Sequence, residues 1–403
     1  MRYLDKLLDG VEVEWKALWE VTIWDKRFSA VDRRKQSNVD NYQYLLAADL
    51  FELEQDNGDV FLLATGERTG WTTKELAGKY LREGEVVTIP WGKSRPVKDV
   101  LKYYKGRFVT ADNRIATSSN LDILLNKFLY YWLQTQSLVI DGFYRGSGIQ
   151  HPNMAAVLDM IIPIPPLEIQ QKIVDILDKF TQLSAELSAE LSAELSARKK
   201  QYSYYREQLL SFEEGEVEWK TLESLADNLD SVRKPITSGQ RESGDVPYYG
   251  ASGIVDYVKD YIFDGDYLLV SEDGANLIAR NTPIAFSISG KNWVNNHAHV
   301  LKFKTYADRR FVEYYLNSID LTPYISGAAQ PKLNQRNLNS IKIPNPSPKE
   351  KERIVSILDK FDTLTTSLSE GLPKEIALRK KQYEYYRDML LAFPSSESGV
   401  KDE

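Results

Sequence analysis

Apolar residues recur at alternating intervals of three and four positions in two long stretches of the chain. The first series is Ile173, Ile176, Phe180, Leu183 and Leu187, and the second is Ile354, Ile357, Phe361, Leu364 and Leu368. This spacing places the side chains on one side of an α-helix, as in the seam of a coiled coil. It predicts two long helices, which continue through tyrosine-rich segments that contain Tyr202 and Tyr383.

Proline and glycine mark where these helices start and break. Pro165 and Pro166 precede the first helix. The segment 347–350 (Ser-Pro-Lys-Glu) before the second has the form of a capping box with proline at the first helical position. Gly371 and Pro373 predict a break or kink in the second helix, where the first has no such residues.

The two helical stretches are copies of each other. The sequence of 173–180 returns with one substitution at 354–361, and that of 198–202 returns unchanged at 379–383, so both pairs lie 181 residues apart. Glu-Val-Glu-Trp-Lys at 12–16 also returns, at 216–220. Because the chain begins and ends part-way through a repeat, we expect a cyclic, pseudo-two-fold arrangement with neighbouring termini.

The first predicted helix contains the tetrapeptide Leu-Ser-Ala-Glu three times, at 183–186, 187–190 and 191–194. One interpretation is a low-complexity stretch that merely favours helix. The other is a ruler, because four residues add ~6 Å and ~400° to a helix, while duplex DNA advances ~3.4 Å per base pair. The number of copies would then set the distance between two DNA-reading domains.

The segments between the helices have mixed α/β character. Strand composition is found at 86–89, 267–270 and 300–303, and matching short helices are predicted at 128–133 and 311–316. The predicted fold is α+β: two mixed α/β recognition domains separated by two long helices that form an antiparallel coiled coil. The predicted boundaries are 1–162 for the first recognition domain, 163–215 for the central helical spacer, 216–343 for the second recognition domain and 344–403 for the C-terminal helical spacer.

Composition narrows the setting of the protein. The 403 residues include 42% hydrophobic residues and no cysteine, which fits folded domains in a reducing compartment. No run approaches the roughly 18 apolar residues of a membrane span, so we expect a cytoplasmic protein. The net charge of -7 means that any DNA-binding surface must be local, or supplemented by a partner.

Motifs for chemistry on DNA are not found in the sequence. Adenine methyltransferases hold a flipped base with an Asn/Asp-Pro-Pro-aromatic loop, and the nearest string, 164–167, is Ile-Pro-Pro-Leu. No Gly-rich loop follows the Walker pattern for ATP phosphates. His297 and His299 would share one face of a strand and could bind a metal, but a packed or DNA-proximal polar pair is the simpler interpretation.

The order of variable segments and repeated helices resembles the specificity (S) subunits of type I restriction–modification systems. The resemblance covers essentially the whole chain. It rests on the Pro-rich entry followed by Ile-Val-x-Ile-Leu-Asp-Lys-Phe, on Arg-Lys-Lys-Gln-Tyr-x-Tyr-Tyr-Arg and on the tetrapeptide repeats. Segments 295–300 and 330–334 also look like sequences of the second recognition domain in this family.

The resemblance implies a non-catalytic, sequence-specific DNA-binding subunit. Each variable segment would read one half of a split, asymmetric site on double-stranded DNA. Two methyltransferase subunits would dock and bring S-adenosylmethionine, and restriction subunits would bring ATP and Mg. The chain itself would hold no cofactor and no metal.

Candidate DNA contacts follow from charge and from this resemblance. Segment 86–114 carries seven basic and two acidic residues with interleaved aromatics, and the alternative interpretation is an ordinary solvated basic face. Its candidates are Trp91, Lys93, Arg95, Lys102, Lys105, Arg107 and Arg114. Candidates in the second domain are Lys291, Asn295, Asn296, His297, Lys332, Asn334 and Arg336.

Candidate spacer and partner-docking residues lie along the two helices. They are Ile173, Ile176, Phe180, Leu183, Leu187, Leu191, Tyr202, Ile354, Ile357, Phe361 and Tyr383. Two other functions remain open at this point. A two-armed coiled-coil scaffold without DNA reading would explain the helices but not two divergent domains on duplicated stems, and a stand-alone DNA enzyme is opposed by the missing motifs.

Overall fold

The computed structural model describes residues 3–93, 95–213, 215–273, 276–327, 330–367 and 369–394. The chain forms two compact units, the first built from Met1–Ser188 and Leu378–Glu403 and the second from Ala189–Ala377. Each unit therefore combines one variable segment with parts of both helical stretches. Leu368, which the apolar spacing assigns to the seam of the second helix, lies outside the described residues.

The first unit is a mixed α/β structure. Its strands are β1 Glu14–Ala17, β2 Thr22–Trp24, β3 Val60–Leu63, β4 Trp71–Thr72, β5 Arg82–Pro90, β6 Lys102–Thr110, β7 Asn113–Ser118, β8 Tyr144–Arg145, β9 His151–Pro152 and β10 Ile161–Ile164. Its helices are α1 Tyr3–Leu8, α2 Leu18–Val21, α3 Ala47–Glu52, α4 Lys74–Ala77, α5 Val97–Val100, α6 Asn126–Thr135, α7 Ser137–Asp141, α8 Met154–Leu158 and the start of α9 Leu167–Leu210. Short 3-10 helices occupy Arg33–Gln36 and Gly78–Tyr80.

A six-stranded sheet of order β2-β7-β5-β6-β3-β4 organises the first unit. The predicted strand 86–89 is the buried end of β5, which pairs with β6 on one side and β7 on the other. Helix α6 packs on this sheet through buried apolar residues such as Phe128 and Trp132. The same core includes Leu4 near one end of the chain, Leu177 of α9 and Leu390 near the other end. The expected proximity of the two terminal regions is thereby found within this unit.

The second unit repeats this plan with a smaller main sheet. Its strands are β11 Glu218–Thr221, β12 Asp227–Asn228, β13 Ser243–Gly250, β14 Gly253–Val258, β15 Phe263–Asp264, β16 Tyr267–Ser271, β17 Ala285–Ile288, β18 Lys291–Val294, β19 Ala298–Lys302 and β20 Lys342–Asn345. Its helices are the end of α9, α10 Leu222–Leu225, α11 Asn276–Ala279, α12 Tyr306–Ser318, α13 Gln335–Ser340, α14 Pro348–Thr366 and the start of α15 Leu372–Leu390. Short 3-10 helices occupy Asp230–Val232, Ser238–Gln240 and Thr322–Tyr324.

Corresponding strands of the two units pair in the same order. The second unit has a sheet β12-β19-β16-β17, which matches β2-β7-β5-β6 of the first, and a separate sheet β14-β13-β18-β15. The repeated Glu-Val-Glu-Trp-Lys motif forms equivalent ribbons: Glu14 of β1 faces Ile164 of β10, and Glu218 of β11 faces Asn345 of β20. The internal repeat predicted from the sequence therefore extends to strand pairing.

Helix pairs complete each unit and run antiparallel. In the first unit the ring of Phe180 on α9 lies 5.8 Å from that of Tyr386 on α15, whereas Leu187, further along α9, shares a groove with Arg379, which is earlier on α15. In the second unit Tyr205 of α9 lies 5.6 Å from Phe361 of α14, and Tyr202, earlier on α9, lines a pocket together with Thr366, which is later on α14. Antiparallel helix pairing is thus confirmed in each unit.

The predicted start and break of the second helical stretch are also confirmed. Ser347 caps α14, because its side chain accepts a hydrogen bond from the backbone amide of Glu350 at 3.3 Å, and Pro348 is the first helical residue. Helix α14 ends at Thr366 and α15 begins at Leu372, so the break falls at Gly371. No helix among the described residues is long and apolar enough to cross a membrane.

The two matching short helices, α6 and α12, are anchored by the same hydrogen bonds. Tyr131 of α6 donates its hydroxyl proton to Asp178 of α9 at 2.6 Å, and Tyr314 of α12 donates to Asp359 of α14, also at 2.6 Å. Burial and these carboxylates raise the pKa of both tyrosines above the ordinary value, so the hydroxyls stay protonated donors. The short helix of each unit is therefore fixed to the neighbouring long helix in the same way.

Candidate nucleic-acid interface

The loop after β5 and the start of β7 place Trp91, Arg114 and His151 together. The guanidinium of the buried Arg114 lies 3.8 Å from the centre of the Trp91 ring. The ring of His151 lies 4.6 Å from the same indole, and its Nδ1 lies 3.0 Å from the Trp91 carbonyl oxygen. The indole of Trp91 is therefore already packed against two side chains and stabilises this loop.

Three of the predicted cations in segment 86–114 are committed to internal partners. Lys93, with only 7% of its side chain exposed, pairs with the carboxylate of Asp141. Lys102 donates to the carbonyl oxygen of Ala64 at 2.8 Å, and burial lowers its pKa to about 8. Arg114 donates to the carboxylate of Asp112 at 2.8 Å. These bonds fix the loops of the domain in place.

Arg95, Lys105 and Arg107 are more accessible. The side chains of Arg95 and Lys105 are 58% and 72% exposed and pair with Glu67 and Glu85. Arg107 pairs with Asp59 at 2.8 Å. Exposed ion pairs contribute only about 0–1 kcal/mol, so a DNA phosphate can replace the carboxylate partner at little cost.

The fold changes the charge balance expected for segment 86–114. Six of its seven basic residues pair with carboxylates, and Lys102 bonds to a carbonyl oxygen instead. Most of these carboxylates lie outside the segment: Asp59, Glu67, Glu83, Glu85, Asp141 and Glu384. A count along the sequence cannot include these groups. The local positive excess is therefore smaller in the folded unit than the sequence suggests.

Predicted contacts of the second unit divide into buried and exposed groups. Asn295 is buried, and its side-chain oxygen accepts from the backbone amide of His297 at 2.8 Å. Asn296 is exposed, as is Lys291, whose ammonium lies 4.6 Å from the centre of the Tyr261 ring. The buried asparagine shapes the turn before β19, while its neighbours face solvent.

The segment before α13 carries the other three candidates. Backbone bridges join Ser326 to Lys332, and the ammonium of Lys332 lies 3.1 Å from the carboxylate of Glu272. Asn334 caps α13 by accepting from the amide of Asn337 at 3.0 Å. Arg336, in the first turn of α13, is exposed. Lys332 and Arg336 are therefore accessible cations at one end of this short helix.

Behind this segment lies a buried cluster of charges. Asp230, Glu272 and His299 bring one potential ligand atom each within 4.8 Å of one another, a set that could hold a metal ion. Arg233, however, lies 2.6 Å from Glu272 and 3.3 Å from Asp230. Cations of the protein already neutralise both carboxylates, so the arrangement is that of a salt-bridge network.

The expectation that His297 and His299 share one face of a strand is wrong. Strand β19 begins at Ala298, so His297 precedes it. His297 is half-exposed and lies 2.9 Å from the carboxylate of Asp273, whereas His299 is fully buried. The turn capped by Asn295 separates the two side chains.

A buried aspartate next to a buried basic side chain recurs at equivalent positions of the two units. The carboxylate of Asp25 accepts from the amide of Ile115 at 2.9 Å, next to Arg114. The carboxylate of Asp230 accepts from the amide of Val300 at 3.0 Å, next to His299. Burial raises the pKa of Asp25 to about 6 despite the nearby Lys26 and Arg114. For Asp230, burial is outweighed by His299 and Arg233, and its pKa lies below the ordinary value.

The predicted spacer residues become more exposed towards the tetrapeptide repeats. Ile173 and Ile354 are buried, Phe180 and Phe361 are half-buried, and 60% of Leu183 is exposed. The other members are half-buried in the structure: Ile176, Leu187, Leu191, Tyr202, Ile357 and Tyr383. The seam is thus tightly packed only where the α/β parts of the two units cover it.

The sequence matches the type I restriction modification DNA specificity domain twice, over residues 43–197 and 214–378. It is 34% identical to the specificity subunit of the type I restriction enzyme EcoR124I/EcoR124II from Escherichia coli, over 99% of this chain and 98% of that protein. The chain belongs to the family of type I restriction–modification specificity subunits. The resemblance inferred from the helical repeats is confirmed.

Solved structures support the same fold for this specificity-subunit chain. One, described as the structural basis of complex assembly and conformational transition of the type I R-M system, has a TM-score of 0.59 and 14% identity, covering 94% of this chain and 98% of that one. The S subunit from M. genitalium has a TM-score of 0.51 and 17% identity, covering 98% of this chain and all of that one.

Sequence reasoning missed a hairpin in the first recognition domain of this family member. Strands β8 and β9 pair Arg145 with His151, and all residues from 145 to 151 are exposed. Gly146 and Asn153 lie 181 positions before Gly327 and Asn334. Both glycines have positive φ, and both asparagines cap a short helix. Extending the 181-residue offset upstream of Pro163 would have found this hairpin.

Proposed function

We propose that the chain is the sequence-specific DNA-binding specificity subunit of a type I restriction–modification enzyme and reads a bipartite, asymmetric target. The observation that carries this proposal is the presence of two units with the same sheet order and the same stem anchors but different exposed side chains. Equivalent scaffolds with different surfaces suit two different half-sites. We assign one half-site to each unit.

Accessible cations and amides of each unit form the proposed contact surfaces. In the first unit these are Arg95, Lys105 and Arg107, joined by Arg145 of the hairpin. In the second they are Lys291, Asn296, His297, Lys332 and Arg336. Arginine and lysine neutralise phosphates or bind guanine, and asparagine suits adenine. The buried candidates Lys93, Lys102, Arg114 and Asn295 would act by holding the loops that carry these contacts.

Two equivalent pairs of tyrosines support docking of two partner subunits. Tyr204 and Tyr205 lie in the second unit, and Tyr385 and Tyr386 lie 181 residues later in the first. The rings of each pair lie 5.5 Å apart, and between 38% and 64% of these side chains is exposed. Tyrosine is enriched at protein interfaces. We assign each pair to one methyltransferase subunit.

We further propose that catalysis belongs to the partners. The methyltransferase subunits would supply S-adenosylmethionine and the pocket for the flipped adenine, and restriction subunits would supply ATP and Mg. This chain would select the site in the cytoplasm and hold no cofactor of its own. The sequence carries neither the Asn/Asp-Pro-Pro-aromatic loop nor the Walker pattern, which supports this division of labour.

Selection from a randomised duplex pool tests the DNA-reading role. The chain is co-expressed with the methyltransferase subunit of the same system, and the complex is challenged with random duplexes in the presence of excess non-specific DNA. We expect enrichment of one split motif with a fixed gap. The methyltransferase subunit alone serves as the control, and a stable complex that retains duplexes without sequence preference would favour the scaffold function instead.

A further inference from the structure

Each ring nitrogen of His299 faces a hydrogen-bond acceptor of a neighbouring residue. Its side chain is fully buried in β19. Nδ1 lies 2.6 Å from the carboxylate of Asp230, and Nε2 lies 2.7 Å from the carbonyl oxygen of Leu333. A neutral imidazole has one N–H and one acceptor nitrogen. Neither neutral tautomer can therefore donate to both neighbours.

The alternative, a protonated Asp230 that donates to the histidine, conflicts with the other contacts of this carboxylate. One oxygen accepts from the amide of Val300 at 3.0 Å. The other oxygen lies 3.3 Å from the guanidinium of Arg233. Asp230 is thus a carboxylate, and the proton belongs to His299.

The first unit has a permanent cation at the equivalent position. In that sheet Arg114 of β7 faces Ile89 of β5, and in the second sheet His299 of β19 faces Val270 of β16. Since the strand orders match and arginine is always charged, the position is built for a positive charge. The geometry points to His299 as a constitutive imidazolium that positions the second domain's DNA-contact segment.

The imidazolium acts on that segment through the peptide of Leu333. His299 holds the carbonyl oxygen of Leu333, while the amide of Leu333 donates to the backbone oxygen of Glu272 at 2.8 Å. These two bonds tie Leu333 to the sheet, between the proposed contact Lys332 and Asn334, the cap of α13. His299 is therefore a positioning residue, and its importance for DNA reading rests on the proposed function.

The charged groups around His299 come from three elements of the second unit. Asp230 and Arg233 approach from the 3-10 segment, and Glu272 approaches from the end of β16, 3.8 Å from Nδ1. Lys332 approaches Glu272 from the α13 side at 3.1 Å. With a charged His299, the cluster holds three cations and two carboxylates. A third carboxylate, that of Asp273, lies close by, 2.9 Å from Nδ1 of His297. Loss of one imidazolium proton would leave either the carboxylate of Asp230 or the carbonyl oxygen of Leu333 facing a ring nitrogen that has no proton. A buried acceptor that loses its donor is costly.

Nitrogen NMR of the full chain tests the protonation state directly. The chain has three histidines, so spectra of protein labelled with ¹⁵N-histidine can be assigned with His299→Gln. We expect both nitrogens of His299 to carry protons at pH 8, where a free imidazole with a pKa of about 6.5 is neutral. A single protonated nitrogen at that pH would overturn the inference, whether or not the chain binds DNA.

DNA discrimination by the chain with its methyltransferase partner tests the positioning role. Affinity is measured for the complete site and for duplexes with either half-site replaced. In His299→Gln we expect discrimination at one half-site to fall by about tenfold or more, since a hydrogen bond to a charged group is lost. Discrimination at the other half-site should be the same as in the unmodified chain. His299→Arg, which copies the first unit, should recover much of the lost discrimination.

The possible outcomes separate the two proposals. Equal losses at both half-sites, or no loss at either, would refute the positioning role of His299. Absence of any sequence discrimination in the unmodified chain would refute the proposed function and leave the NMR result unaffected.

Discussion

At equivalent positions of the two units, two buried aspartates have pKa values that are shifted in opposite directions. The carboxylates of Asp25 and Asp230 each accept a hydrogen bond from a backbone amide of the neighbouring strand, that of Ile115 and that of Val300 respectively. Burial raises the pKa of Asp25 to about 6, whereas the pKa of Asp230 is lowered because His299 and Arg233 outweigh burial. The same backbone arrangement therefore makes the first unit lose stability as the pH rises through about 6, whereas the Asp230 carboxylate of the second unit loses its stabilising effect only in acid.

The shift of Asp25 predicts a pH dependence of stability. The folded state binds the carboxyl proton of Asp25 more tightly than the unfolded state, in which the pKa of this group is 3.8. The stability that this proton contributes is therefore fully present below pH 4 and is lost as the pH rises through 6. The loss is about 3 kcal/mol by linkage. Relative to Asp25→Asn, the unmodified chain should therefore lose about this amount between pH 4 and 7 in urea unfolding of the first unit. Asp49→Asn, at an exposed position of the same unit, is the control, and an equal response of both variants would contradict the prediction.

An exposed cation should change affinity without changing the sequence that is read. Arg95→Ala removes a side chain that is 58% exposed and paired only at the surface with Glu67. If this guanidinium neutralises one phosphate, the slope of log K against log salt should become shallower by about 0.9, with the selected motif unchanged. The control is Arg34→Ala, since the Arg34 side chain is 91% exposed and bonded to Asp32. An unchanged slope for Arg95→Ala would remove Arg95 from the contact surface.

At the scale of elements, α9 is packed unevenly along its 44 residues. Its beginning is buried through Ile173 and Leu177, whereas in the repeats Leu183 is 60% exposed and Leu187 and Leu191 are half-buried. Few core contacts therefore depend on the length of the repeat region. This arrangement lets the helix change length without dismantling either core.

Deleting 191–194, one Leu-Ser-Ala-Glu copy, should change the spacing of the target. The helix shortens by ~6 Å, and we expect both half-site sequences to persist while their separation changes by about one base pair. The magnitude is small because only one of the two antiparallel helices is shortened. Methylated-site mapping measures the gap, and replacement of 191–194 by another helix-forming tetrapeptide should leave it unchanged. Altered half-site bases would count against the ruler.

The break between α14 and α15 depends on a glycine. A Cβ atom at Gly371 would lie 2.4 Å from the carbonyl oxygen of Thr363 and 2.7 Å from that of Leu364. Backbone atoms cannot yield cheaply, so Gly371→Ala should destabilise the second unit by about 1–3 kcal/mol, as measured by urea unfolding. Gly239→Ala, where nothing lies within 4 Å of the added Cβ, should change the stability of the same unit far less. Equal effects would show that the close approach is not the cause.

At the scale of the whole molecule, the first unit is completed by a helical segment from the other end of the chain, whereas the second unit is one continuous stretch, Ala189–Ala377. The first unit takes in Leu378–Glu403, and Leu4 and Leu390 share its core. The 181-residue offset predicted this repeat because the two helical stretches have the same apolar spacing. This spacing involves residues close together in the chain, so it can be recognised from the sequence alone.

The candidate site was less predictable because its partners are distant in sequence. Lys93 meets Asp141 across 48 residues, and His299 meets Leu333 across 34. Strand register and loop position decide such contacts, and neither follows from residue type. Hence Lys93 and Asn295 could be identified as polar candidates, but their burial could not be foreseen.

The central claim is that this chain chooses the DNA sequence for a methyltransferase partner. The most direct measurement is single-molecule mapping of methylated adenines in cells that co-express the chain with that partner. The account predicts methylation confined to one asymmetric, split motif with a fixed gap. Methylation without a motif, or none despite a stable complex, would contradict it.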